Sequence, residues 1–137
     1  MLRELGAAAR RGVDVRVMIA GTTDVPAVLF ASRSIYDVLL AAGVRLYEWE
    51  GRVMHAKTAV VDGRWATVGS SNLDAQSLRQ NLEANAIVRH PELAAALERM
   101  FREDLESCRE ISAERWLHRP TWVRAASYGA YMLRRWL

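Results

Sequence analysis

Residues 54–72 read MHAKTAVVDGRWATVGSSN: two short runs rich in β-branched residues, Met54 to Val61 and Arg64 to Val68, meeting at Asp62-Gly63. An Asp-Gly pair accepts the positive backbone angles of a tight primed turn, so this stretch predicts an antiparallel hairpin. Residues two apart on a strand share a face, which would set His55 and Lys57 side by side with Ala56 turned away. An imidazole next to an ammonium suits a phosphate. The ring can attack phosphorus or move a proton near neutral pH, and the ammonium balances oxyanion charge as it develops. Gly69 lets the backbone come close, and Ser70 and Asn72 add hydroxyl and amide donors. This scheme calls for no metal and no other cofactor.

Outward from the hairpin, the pattern alternates strands and helices. Leu2 to Arg11 reads as a helix closed by Gly12, and Val13 to Ala20 as a strand in which Val13, Val15, Val17 and Ile19 alternate. After a turn at 21–26, Ile35, Val38, Leu39 and Ala42 mark one face of a helix stopped at Gly43, and Val44 to Trp49 form the next strand. Strand, helix, strand implies a crossover connection and a parallel or mixed sheet flanked by helices, the α/β class. Beyond the hairpin, Leu82 to Arg89 reads as a strand. Pro91 then opens a helix whose stripe is Leu93, Leu97, Met100, Phe101 and Leu105, with Glu98–Arg102 and Arg99–Glu103 pairs on its wet side.

With 137 residues, half of them hydrophobic (51%), the chain is of a size to build one core. Cys108 is the only cysteine, so no internal disulfide forms, and no Cys/His cluster has the spacing of a structural zinc site. No secretory signal and no apolar run of membrane-spanning length is visible, which sets the expectation of a cytoplasmic, non-spanning protein. The net charge of +3 is uneven: from Arg115 onward there are five arginines and no acid. An anionic partner is expected there, and nucleic acid and lipid surfaces both carry the required phosphate. Lys57 is the single lysine among 19 basic residues, and a compact ammonium against a transferring phosphoryl group is a reason for that exception.

The segment His55-x-Lys57, four residues, Asp62, six residues, Gly69-Ser70-x-Asn72 resembles the signature of the phospholipase D superfamily without gap or substitution. The resemblance implies a phospholipase D-like fold, a catalytic His55 and Lys57, and phosphate donors at Ser70 and Asn72. It also implies that Glu83, in NLEAN, hydrogen-bonds the far nitrogen of His55 and fixes its tautomer, as the Asp of a Ser-His-Asp triad does. Asp62 and Gly69 belong to the motif's architecture. More narrowly, GTTDVPAV, YEWEGRVMHAK, GSSNLDAQSLRQNLEAN and RPTW resemble the C-terminal half of a bacterial cardiolipin synthase. Those enzymes carry two motifs in one chain, and this sequence has one. The resemblance therefore implies a phosphatidyltransferase acting through a phosphohistidine, with phosphatidylglycerol or a related phospholipid as substrate. A second motif-bearing half, from a homodimer or an upstream partner chain, is needed. In two-motif relatives the second histidine is generally the acid, which is the part His55 would take.

Residues 1–118 are expected to form the catalytic domain and 119–137 a basic aromatic tail. In the tail, Trp122, Ala126, Gly129, Leu133 and Trp136 recur at helical spacing beside Arg124, Tyr128, Tyr131 and Arg135. Such a helix suits an anionic membrane surface, giving a peripheral location on the cytoplasmic face of the cell membrane. Packing on the protein body or on a partner would explain the stripe equally well. His90 and His118 read as structural or solvated. Two other functions stand beside the first: a single-motif nuclease working as a homodimer, and an incomplete fragment that binds phosphate headgroups without turnover.

Overall fold

The computed structural model describes residues 2–22, 33, 35–50, 54–72 and 82–120. They belong to two units, one built from residues on either side of the other, His55–Glu106.

The first unit is a small mixed sheet with helices. Helix α1, Leu2–Arg10, packs Leu2, Leu5 and Ala9 against the core. It ends at Gly12 (φ 90°), whose N–H donates to the Ala9 carbonyl at 2.9 Å. Strand β1, Arg16–Ala20, runs parallel to β2, Arg45–Trp49, with Val17 opposite Leu46 and Ile19 opposite Glu48. Helix α2, Tyr36–Ala41, lies between them in sequence, so the expected parallel pair with an intervening helix is present. Gly43 (φ 87°) closes α2, donating to Leu40 O, while Val44 N–H donates to Leu39 O. A later strand, β6 (Cys108–Glu110), lies antiparallel on the other side of β2 and makes the sheet mixed.

Two details depart from the sequence reading. The first strand begins at Arg16 rather than Val13, because residues 13–15 carry the chain out of the helix cap and leave Val13 half exposed. The inward face of α2 is Tyr36, Leu39 and Leu40, spaced three and four apart, and Val38 points to solvent at 67% exposure. With Val17, Val44, Leu46 and Ile111 these three residues form the core.

Two polar clusters tie the first unit together. The carboxylate of Glu48, near the end of β2 and 1% exposed, accepts from Arg33 Nε and Nη2 at 2.9 and 3.1 Å, from the Tyr36 hydroxyl at 3.2 Å, and from Arg109 of β6. Burial, then the neighbouring Glu48 charge, pushes the Tyr36 hydroxyl well above the usual tyrosine range, so it stays a donor. The second cluster docks helix α4, Ala113–Leu117, whose N-cap Ser112 accepts from Arg115 N–H. Trp116 stacks against Tyr36 at 5.0 Å and donates to Asp37 at 2.7 Å, while Arg119 lies 3.5 Å over the Trp116 ring and donates to the same carboxylate.

The second unit is an antiparallel sheet with one helix. Strands β3 (Thr58–Val61), β4 (Trp65–Gly69) and β5 (Asn85–Val88) lie in that order. The hairpin expected at Asp62-Gly63 is there: both residues have positive φ, 53° and 61°, and Arg64 N–H donates to Val61 O at 3.1 Å. Helix α3, Pro91–Leu105, begins with proline in its first turn and packs over β3 and β4, bringing Ala94 and Ala66 to full burial. Its inward side runs through Ala94, Leu97, Phe101 and Leu105, whereas Leu93 and Met100 of the expected stripe are exposed. Glu98 and Arg102 form the expected four-residue ion pair.

Candidate active site

The motif falls within the second unit, with Asp62 in the β3–β4 hairpin turn and the other motif residues at the opposite end of the sheet, where β3 begins, β4 ends and β5 begins. Strand β3 starts only at Thr58, so His55 and Lys57 lie on the extended stretch feeding it rather than inside a strand. The ladder reaches Lys57 from one side: Gly69 N–H donates to the Lys57 carbonyl at 3.0 Å. Lys57 is partly buried, and its ammonium donates to the His55 carbonyl at 2.9 Å, which ties the two residues together through backbone as well as sequence. His55 is exposed. Glu83 lies partly buried, two residues ahead of β5.

Gly69 ends β4, and Ser70, Ser71 and Asn72 follow it as a segment fastened to the residues entering β5. Ser70 N–H donates to Ala84 O at 3.0 Å, and Ala84 N–H donates back to the Ser70 hydroxyl oxygen at 3.0 Å. The hydroxyl proton faces Ala84 O across a long 3.4 Å contact. One lone pair of Ser70 is thus engaged in holding the segment while its proton can be redirected to a ligand. The need for glycine at 69 has a local cause that the sequence did not show. A Cβ there would collide with Ala84 O and Asn85 Oδ1, so it is the chain entering β5 that approaches closely. Asn72 follows, exposed, at the end of the fastened segment. Asp62 sits in the hairpin turn at positive φ, the architectural place expected of it.

The arrangement places an imidazole, an ammonium, a hydroxyl and an amide on neighbouring chain ends of one small sheet, each of a type that serves phosphate. Among the described residues there is no group of three or more His, Cys, Asp or Glu side chains suited to hold a metal ion, and no helix long and apolar enough to cross a membrane. Sequence reasoning missed Asn85 at the site and the buried Glu48 in the first unit. Glu48 had a signal, an acid inside the apolar run Leu46-Tyr47-Glu48-Trp49. Asn85 had none without the strand register.

This fold and motif define a phospholipase D-type domain. Residues 1–105 match the family described as cardiolipin synthase, PLD-like domain, and the chain belongs to that family. It is 48% identical over 88 residues to cardiolipin synthase B of Salmonella typhi, an alignment covering 64% of this chain and 21% of that one. It is 37% identical over 124 residues to cardiolipin synthase A of Klebsiella pneumoniae, covering 90% of this chain and 26% of the relative. The chain therefore spans about a fifth to a quarter of the length of these relatives. Among solved structures it is similar to the crystal structure of a phospholipase D family member, Nuc, from Salmonella typhimurium. There the TM-score is 0.69 and the identity 25%, over 80% of this chain and 72% of that one.

Proposed function

We propose that the chain supplies one motif of a phosphatidyltransferase that makes cardiolipin from two molecules of phosphatidylglycerol, in assembly with a second motif-bearing half. The observation that carries this reading is the unbroken His55-to-Asn72 motif, its Gly-Ser segment fastened at β5, in a chain of the cardiolipin synthase PLD-like family. In the first displacement one imidazole nitrogen attacks phosphorus and the bond to the glycerol oxygen breaks. The opposing histidine protonates the departing alkoxide. In the second, that histidine takes the proton of the acceptor hydroxyl, whose oxygen attacks phosphorus as the phosphohistidine bond breaks. His55 is the acid and base where an upstream motif provides the nucleophile, and two copies of His55 divide the roles in a homodimer. Lys57, the Ser70 proton and the Asn72 amide bind the phosphate oxygens, and Glu83 orients and stabilises the imidazolium.

The substrate sits in a membrane, so the protein works peripherally at an anionic surface on the cytoplasmic face, with residues 119–137 as its contact. Residues 121–137 lie outside the described residues. A second reading is favoured by one observation: the similarity to Nuc covers most of both chains, so a phospholipase D family member of comparable length exists. That reading is a homodimeric phosphodiesterase acting on another phosphodiester, nucleic acid among them. The test is incubation with headgroup-labelled phosphatidylglycerol vesicles, alone and with an upstream motif-bearing chain, followed by thin-layer separation. Cardiolipin with release of labelled glycerol supports the transferase, and phosphatidic acid without cardiolipin, or lipid left unchanged under every condition, contradicts it. Cleavage of nucleic acid or of a nitrophenyl phosphodiester by the chain alone supports the second reading, and failure on those substrates contradicts that one.

A further inference from the structure

The register of the second sheet brings one unassigned side chain to the motif. Gly69 pairs with Asn85 on β5, and its N–H bonds the carbonyl of Lys57 on the other side, so Lys57, Gly69 and Asn85 form one row across three chain segments. The middle position has no side chain. The Asn85 amide fills that gap, its Oδ1 where a residue-69 Cβ would otherwise be. From there Asn85 Nδ2 donates to the Ser71 hydroxyl, and Ser71 N–H points back at Asn85 Oδ1 at 3.5 Å. Only this orientation of the amide gives the Ser71 N–H an acceptor.

Ser71 lies between the two motif donors. Ser70 before it is held by Ala84, and Ser71 by Asn85, so both residues leading to Asn72 are fixed to consecutive residues where the chain enters β5. We propose that Asn85 is a positioning residue of the phosphodiester reaction, acting through Ser71 to set the direction in which Asn72 meets the phosphate. The inference rests on the functional reading above. An amide is suited to the task where an acid is not. It supplies the donor for the Ser71 oxygen and the acceptor for its N–H while remaining neutral. A carboxylate across Gly69 would draw the Lys57 ammonium from the phosphate and repel the phosphate itself.

The test compares Asn85→Ala, Ser71→Ala, their double variant and Asn85→Asp, using a soluble nitrophenyl phosphodiester with whichever second half supports turnover. Asn85→Ala should lower kcat on the order of tenfold with a smaller change in KM, since misdirecting a donor costs rate by loss of alignment. Its melting temperature should stay near that of the parent. The double variant should be no slower than the slower single one, and Asn85→Asp should be slower than Asn85→Ala. Unchanged kcat, additive losses in the double variant, or losses that track melting temperature would overturn the proposal. A readout without turnover separates this outcome from failure of the functional reading. Inorganic phosphate titrated into the isotope-labelled chain should shift the Asn72 side-chain amide signals, and by clearly less at saturation in Asn85→Ala, where the amide no longer meets the phosphate in the same direction. Equal shifts at saturation would overturn the role of Asn85 whether or not the parent turns over phosphodiesters.

Discussion

His55 and Lys57 reach the site from the stretch ahead of β3, tied by the Lys57 ammonium on the His55 carbonyl. Replacing His55 by Ala should abolish turnover, because alanine offers nothing at that position to attack phosphorus or carry the proton; parent-like rates in steady-state assay would sink the mechanism. Lys57→Arg should lose most activity while the fold survives. A planar guanidinium cannot occupy an ammonium-sized position against phosphate, and near-normal kcat/KM would show the lysine to be incidental. These residues were legible because the chemistry constrains their types and a short motif constrains their spacing. Asn85 was not legible. Its partnership with Ser71 depends on which residue of β5 faces Gly69, and 15 residues separate Gly69 from Asn85, so local spacing cannot set that register.

Among the elements, the hairpin was the best marked, since Asp62-Gly63 matches a turn that needs positive φ at both positions. Helix faces were less legible. In α2, fewer than two turns long, a shift by one residue exchanges Val38 for Tyr36 and Leu40, and apolar pattern alone does not decide it. Strand β2 carries a buried shared acceptor in Glu48, and its contribution can be compared with that of an exposed pair. Arg45 and Glu110 pair at 2.9 Å across β2 and β6, each nearly half exposed. The arginine holds the Glu110 carboxyl below its usual range. A lowered folded pKa contributes stability above the unfolded value that is lost as pH falls through the folded one, so this pair weakens only in acid. Being exposed and screened, it should matter little: Glu110→Gln is expected to cost within about 1 kcal/mol in denaturant melts. Glu48→Ala removes the shared acceptor of Arg33, Arg109 and Tyr36 and should cost roughly 3 kcal/mol, with Arg33→Ala smaller because Arg109 remains. Equal effects at Glu48 and Glu110 would contradict this ranking.

At the scale of the whole molecule, the α/β class followed from the order of strands and helices, and the structure confirms it. The division into two three-stranded sheets was not foreseen, because periodicity identifies strands without saying which of them pair. The proposed reaction adds a requirement at this scale, the geometry of in-line displacement. A nucleophile and a proton donor must stand on opposite sides of phosphorus, and one imidazole cannot easily be both. Under the proposed mechanism a second motif has to face the one described here, supplied by a second copy or by a further motif-bearing half. The direct measurement is light scattering coupled to phosphodiesterase assay over a dilution series of the purified chain. Specific activity should fall in step with the dimer fraction, or be absent at every concentration and restored by an upstream motif-bearing partner. Full, concentration-independent activity from a monodisperse monomer would contradict the account.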